Sequence, residues 1–175
     1  EWNGLPGNPI SQQLKSFLSD DSTKNRWLSM CLEESQGLID DEYLDSFSDL
    51  HVAAICGLDS YITTLIDQNN QTKIDQEDLE ERTPLWWAAD RGHAGAVRVL
   101  FQAGAAPNKP DLGGQKPLHK AAMFDRFEVV QLLLEEGVDP LTQKARDYTS
   151  SGTEPHPRLL TPVEIACSHG HLRSV

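Results

Sequence analysis

Three places in the chain carry side chains whose types and spacing could do chemistry. Cys167, His169 and His171 put three metal-ligating residue types within five positions. Trp86 and Trp87 set two large rings side by side, as a stacking platform for a sugar or another flat ligand would need. Residues 75–81, DQEDLEE, gather five carboxylates: Asp75, Glu77, Asp78, Glu80 and Glu81. Each meets a physical objection. His169 and His171 are two apart at the end of a short helix, so their rings point in different directions. The three cysteines (Cys31, Cys56 and Cys167) show no metal-type spacing. Neighbours on a helix lie about 100° apart, so two adjacent tryptophans cannot make one flat surface. The acidic run reads either as a solvated loop or as a docking site for a basic partner, with charge steering the encounter. No HExxH, CxxC, GxSxG or GxxxxGK[ST] occurs. The expectation is a non-enzyme with no catalytic, cofactor or metal site.

The elements that carry these residues repeat. SDLHVAAICGL starts at Ser48, TPLWWAADRGH at Thr83, KPLHKAAMFDR at Lys116 and TPVEIACSHGH at Thr161, at intervals of 35, 33 and 45 residues. An apolar helical run follows each of the first three: ITTLI, VRVLF and VVQLLL. A period near 33 marks stacked helical pairs, none of which buries its apolar face alone. Thr83 supplies an N-cap oxygen ahead of Pro84, whose fixed φ suits a first helical turn. Ala88 and Ala89 allow close helix approach, and Gly92 ends the short helix in the left-handed region. Val97, Leu100 and Phe101 form the buried stripe of the second helix, as Val130, Leu133 and Leu134 do one unit later. Gly104 and Gly137 stop those helices.

These residues resemble ankyrin repeats over about 48–175. The resemblance implies an all-α solenoid of helix-turn-helix units with hairpin fingers, divided at about 48–75, 76–108, 109–141 and 142–175. The first unit lacks Thr-Pro, and Asn69 or Asn70 is expected at its closing turn. The third has Asp125-Arg126 in place of Gly-His, and Asp tolerates the left-handed conformation. The last carries a long insertion after Pro140, rich in Ser, Gly and Pro, which reads as a mobile loop. It stops at Val175 one turn into a helix. That, and a start at Glu1 rather than Met, reads as a piece of a longer protein.

Residues 1–47 do not fit the repeat. Asn8-Pro9 looks like a helix start, with Ile10, Leu14, Phe17 and Leu18 on one face. Ser22 is a candidate cap for a second helix with Trp27, Leu28, Cys31 and Leu32 inside, and IDDEYLDSF leads into the first repeat. A helical cap on the array is the simplest role. PISQQLKSFLSDDSTKNRWLSMC with LHVAAICGL also resembles the junction ahead of the ankyrin repeats in large fungal NACHT-type receptors.

A formal net charge of -12 argues against nucleic acid and anionic membrane as partners and allows a basic protein. No run of about 18 apolar residues and no secretory pattern occurs, and unpaired cysteines suit a cytoplasmic or nuclear location. The ankyrin resemblance implies protein binding through a concave face. Its helix positions are Ile55 and Cys56, Asp90 and Arg91, Met123 and Phe124, and Ser168 and His169. Its finger positions are Leu79, Glu80 and Arg82, then Leu112, Gly113 and Gln115. Met123 and Phe124 read equally as an exposed anchor or as packing for the loop after Pro140. The resemblance gives His51 and His119 a structural hydrogen bond to neighbouring loops. Trp86 stands in the place of those histidines, and Trp87 matches Val52, Lys120 and Ile165, so both tryptophans are expected to pack. Three functions stay open: the sensor or scaffold arm of a larger receptor, a targeting or autoinhibitory domain of an enzyme, and a free-standing acidic regulator.

Overall fold

The computed structural model describes residues 13, 16, 17, 20–32, 41–68, 73–141, 145–146, 159–168 and 170. Its elements run α1 (Asp21–Leu32), α2 (Asp41–Asp45), α3 (Asp49–Cys56), α4 (Asp59–Gln68), α5 (Pro84–Arg91), α6 (Ala94–Gln102), α7 (Pro117–Met123), α8 (Phe127–Glu135), β1 (Ala145–Arg146), β2 (Leu159–Leu160) and α9 (Pro162–Ser168). Helices α3, α5, α7 and α9 pack one on the next, and α4, α6 and α8 form a second row behind them. This is the all-α stack expected from the repeat. The departure is small: β1 and β2 pair antiparallel, Ala145 with Leu160 and Arg146 with Leu159, at the base of the long connection. The connection itself, Asn69, Asn70 and the helix start at Asn8 lie outside the described residues.

Local chemistry sets each helix boundary. The Thr83 hydroxyl accepts the Trp86 N–H at 3.2 Å, and Pro84 opens α5. Ser48 does the same for α3 through the His51 N–H. Lys116 has no side-chain oxygen to offer α7, and the cap there keeps only its other half, in which Nδ1 of His119 reaches back to accept the Lys116 N–H at 3.1 Å. The first helices of the first two units close on glycines with positive φ, 65° at Gly57 and 82° at Gly92. In the third unit Asp125 takes φ 52° at that place. Helix α1 begins one residue before Ser22; the Asp20 carbonyl accepts the Lys24 N–H at 2.9 Å and its carboxylate accepts from the Thr23 hydroxyl, so Asp20 rather than Ser22 stands at the helix start.

Side chains then tie unit to unit. His51 Nε2 lies 3.1 Å from the Arg82 carbonyl while its Nδ1 accepts the Ser48 N–H, so Nε2 carries the proton. Trp86 takes over that role: its indole N–H donates to the Gln115 carbonyl at 3.0 Å. Pointing the other way, His93 Nε2 donates to the Ile55 carbonyl at 3.0 Å and Arg126 Nε to the Asp90 carbonyl at 3.1 Å. Arg126 therefore replaces the turn histidine in function as well as in register.

One buried cluster runs from Leu28, Leu32, Leu44 and Phe47 through the paired alanines (Ala53-Ala54, Ala88-Ala89) and on to Leu133 and Val138. Residues before the first repeat thus share its core. Val97 and Leu100 are buried as expected and Phe101 is half-buried. Leu134 is 41 % exposed, contrary to expectation, and Val129 takes its place in the core. Positions 129, 130 and 133 cluster on one side of α8, and 134 is rotated about 100° from 133.

Gly57 and Gly104 separate two effects of a side chain. Both have positive φ, but a Cβ on Gly57 would stand 2.6 Å from His93 Nδ1, whereas one on Gly104 would meet nothing within 4 Å. Gly104→Ala should cost about 1 kcal/mol through backbone strain alone. Gly57→Ala should cost about 2–3 kcal/mol, because it also dislodges the His93 bond. Urea unfolding of the two variants measures the difference; equal losses would mean that the His93 contact adds nothing.

Candidate functional site

The fingers are built from a duplicated sequence, DLEERTPL at Asp78 and DLGGQKPL at Asp111. In each, the aspartate closes the loop on itself. The Asp78 N–H donates to the Arg82 carbonyl and the Asp111 N–H to the Gln115 carbonyl, both at 3.0 Å. The carboxylates accept in return, Asp78 from the Arg82 N–H at 2.9 Å and Asp111 from the Gln115 N–H at 2.7 Å. Adjacent fingers are joined where the Leu112 N–H donates to the Glu80 carbonyl at 3.0 Å. The leucine after each aspartate is thereby held outward: Leu79 is 51 % and Leu112 57 % exposed.

The acidic run divides by role. Asp78 is buried, and its second oxygen takes Arg82 Nε at 2.9 Å and the Trp87 indole N–H at 3.0 Å. Asp75 accepts the Ala106 N–H, and Glu77 pairs with Lys109 at 2.8 Å. Glu80 and Glu81 pair with no cation among the described residues. Sequence treated the five carboxylates as one patch; the fold leaves two of them to the surface charge.

Arg82 is only 2 % exposed. Its guanidinium lies 4.5 Å from the Trp87 ring centre, 5.4 Å from Trp86 and 5.4 Å from Tyr43, whose hydroxyl it also meets. Gln115 and Ile55 are buried too. These three expected contact residues thus belong to the frame, because the finger has to close over a filled interior before anything else can dock. Trp86 and Trp87 are buried and meet edge to face at 71°, which removes the platform reading.

The remaining candidates line one side of the first-helix row. Cys56, Glu80, Asp90, Arg91, Gly113 and Met123 are half-buried, and the Phe124 ring is 46 % exposed. Burial pushes the Cys56 thiol up to about 11, which favours the protonated thiol at neutral pH. Arg91 faces Asp90 at 3.5 Å and donates to the Cys31 carbonyl at 3.3 Å, which links α1 to the second unit. Cys167 is exposed on α9; the Ser168 side chain, His169 and His171 lie outside the described residues.

Sequence reading missed Lys120. Its ammonium stands 4.9 Å from the Trp86 ring centre and 5.7 Å from that of Phe124. Burial lowers its pKa, and Asp90 and Asp111 work against that shift. Burial likewise raises Asp90, opposed by Lys120, Arg91 and Arg126. Asp111 is raised by burial, opposed first by the Gln115 N–H and then by Lys120. The available signal was register: positions 52, 87 and 165 are all apolar and buried, and only 120 carries a charge. The cavity between the third and fourth units, about 90 Å³, is lined by apolar groups such as Leu118, Val130, Pro162 and Val163 and offers no polar anchor.

Two aspartates should respond oppositely to amidation. Asp78→Asn leaves Arg82 buried without its counter-charge and should cost about 3–5 kcal/mol. For Asp90 the folded-state pKa lies above the ordinary 3.8, so its ionised form opposes folding at neutral pH. Asp90→Asn should therefore raise the melting temperature at pH 7, and the gain should vanish as pH falls to about 3.8. Thermal melts across that range decide; a loss at pH 7 would show that the Arg91 contact outweighs burial.

A family model described as ankyrin repeats (3 copies) matches residues 50–144. Over 75 residues the chain is 44 % identical to the human neurogenic locus notch homolog protein 4, a match covering 37 % of the chain and 4 % of that protein. It is 41 % identical over 73 residues to the 26S proteasome non-ATPase regulatory subunit 10 of Dictyostelium discoideum, covering 41 % of the chain and 32 % of that subunit. It is 32 % identical over 111 residues to the human transient receptor potential cation channel subfamily A member 1, covering 62 % of the chain and 10 % of the channel. The chain thus spans a third or less of the length of each of these relatives. Among the described residues no helix is long and apolar enough to cross a membrane.

Proposed function

As the chain belongs to the ankyrin-repeat family, we propose that it is a protein-binding module whose partner seats on the fingertips and on the exposed side of α5 and α7. One observation carries this reading. Leu79 and Leu112 are apolar, more than half exposed and fixed by a hydrogen bond between their loops. A solvent-facing leucine on a rigid loop has little to do for folding, and a repeated pair offers a prearranged apolar contact. Phe124, Met123, Asp90, Arg91 and Cys56 extend the surface along the helices.

Glu80 and Glu81 follow the fingertip leucine and pair with no cation among the described residues, and the chain carries -12 overall. Both facts support a partner with a basic edge, drawn in by charge and held by apolar contact. The segment before the repeats supports a place as the sensor or scaffold arm of a larger NACHT-type receptor inside the cell.

Selection of random peptides displayed on phage against this chain tests the face. Binders should weaken about tenfold or more for a Leu79→Ser, Leu112→Ser double variant with an unchanged melting temperature. Glu80→Lys with Glu81→Lys should weaken basic binders most at low salt. Peptides that bind both variants as well as the parent would sink the proposal.

A further inference from the structure

Lys120 departs from the repeat in a way that folding does not explain. The three equivalent residues, Val52, Trp87 and Ile165, are buried and apolar. At 120 the chain instead places an ammonium between two aromatic rings, at 4.9 and 5.7 Å. Cation–π attraction offsets part of the lost hydration but fills none of its three N–H donors. The Lys120 ammonium makes no hydrogen bond or ion pair with any of the described residues; Asp90 and Asp111 act on it only as charges beyond bonding distance. Its neighbours are already engaged. Arg91 donates to the Cys31 carbonyl and Arg126 to the Asp90 carbonyl. Asp111 takes the Gln115 N–H, and Asp90 faces Arg91. Lys120 is thus the cation of this group whose donors remain to be used.

Resting on the face described under the proposed function, we infer that Lys120 receives the carboxylate of an acidic side chain on the bound protein segment, next to an apolar residue seated against Leu112 and Phe124. Any partner that covers this site strips the remaining water from the ammonium. An apolar cover would leave the ammonium without a hydrogen-bond acceptor, since Asp90 and Asp111 lie beyond bonding distance of it, and a basic cover would supply no acceptor and would add repulsion from Lys120, Arg91 and Arg126 to whatever attraction those two aspartates give. A carboxylate supplies the acceptor and pairs in a water-poor setting, where charge-assisted bonds are strong. The site therefore selects against partners that satisfy only the leucines. A phosphate polymer meets the same cation but also the unpaired Glu80 and Glu81 on the adjoining finger, and the whole chain at -12. The acid is instead a single residue within an otherwise apolar or basic segment.

Random peptides displayed on phage, selected against the parent chain, Lys120→Gln and Lys120→Glu, decide the matter. The Lys120 ammonium bonds to none of the described residues, so Lys120→Gln should stay close to the parent melting temperature, whereas Lys120→Glu, which sets a third carboxylate near Asp90 and Asp111, should melt lower yet remain folded by circular dichroism. Parent binders should carry Asp or Glu at a fixed spacing from an apolar residue. Replacing that acid by its amide should weaken binding about tenfold to the parent and leave Lys120→Gln nearly indifferent. Lys120→Glu should select Lys or Arg at the same place. Binders that respond to Leu79→Ser and Leu112→Ser but carry no such acid, or keep it against Lys120→Gln, overturn the inference and leave the proposed face standing. Binders that ignore the leucines and Lys120 alike, or a selection that yields none, overturn both.

Discussion

Four N–H groups converge on the carboxylate of Asp78: those of the Glu80 and Arg82 backbone, the Arg82 guanidinium and the Trp87 indole. A carboxylate this deep would be costly alone, and so would the guanidinium beside it. Together they satisfy each other, and the aromatic walls of Tyr43, Trp86 and Trp87 close around them. The consequence spreads in three directions. The finger is shut, so Leu79 faces outward. Trp87 is oriented, so the second unit stacks on Phe47 at 5.5 Å. Tyr43 is held by Arg82, so the segment before the first repeat is fixed to the array. An ordinary apolar core could supply the packing but not this directionality, because its contacts do not choose among orientations.

The next unit solves the same problem with less. Asp111 closes its own finger, but Gln115 stands where Arg82 stood, and among the described residues no ion pair forms beneath it. Trp86 reaches the Gln115 carbonyl and does from one side what the buried pair does from within. The Lys120 ammonium stands over the Trp86 ring at 4.9 Å, on a residue whose register is that of Trp87 one unit earlier. The polar site exists because the second finger needs no guanidinium under it. Frame and candidate binding site are in this sense alternatives for the same repeat position.

Sequence reading reached the frame further than the site. Period, caps and alanine pairs located every first helix from α3 to α9, since those signals are local and the chain repeats them. It placed Asp125 in the left-handed region on conformational tolerance alone, and φ there is 52°. It set Arg82, Gln115 and Ile55 on the binding face because their register in a repeat says nothing about whether a neighbour covers them. For Arg82 the cover comes from Tyr43, 39 positions away, in a segment outside the repeat. The split of DQEDLEE was hidden for the same reason: Asp78 differs from Glu80 only through what folds over it. The DLEERTPL and DLGGQKPL duplication was legible and would have marked Asp78 and Asp111 as a structural pair.

Lys120, Asp90 and Asp111 all sit where burial pushes them toward their neutral forms. Asp78 and Arg82 are buried more deeply, yet every oxygen of that carboxylate is met. The contrast separates two uses of a polar group. Where hydrogen bonds are complete, charge serves the fold, and removing one partner breaks it. At Lys120 the ammonium's hydrogen bonds are missing, and the charge costs the fold something that its contacts with the Trp86 and Phe124 rings offset only in part. Folding alone would replace such a lysine by the valine, tryptophan or isoleucine found at its sister positions. That it stands beside the exposed Phe124 ring puts the unmet donors next to the surface a partner would cover.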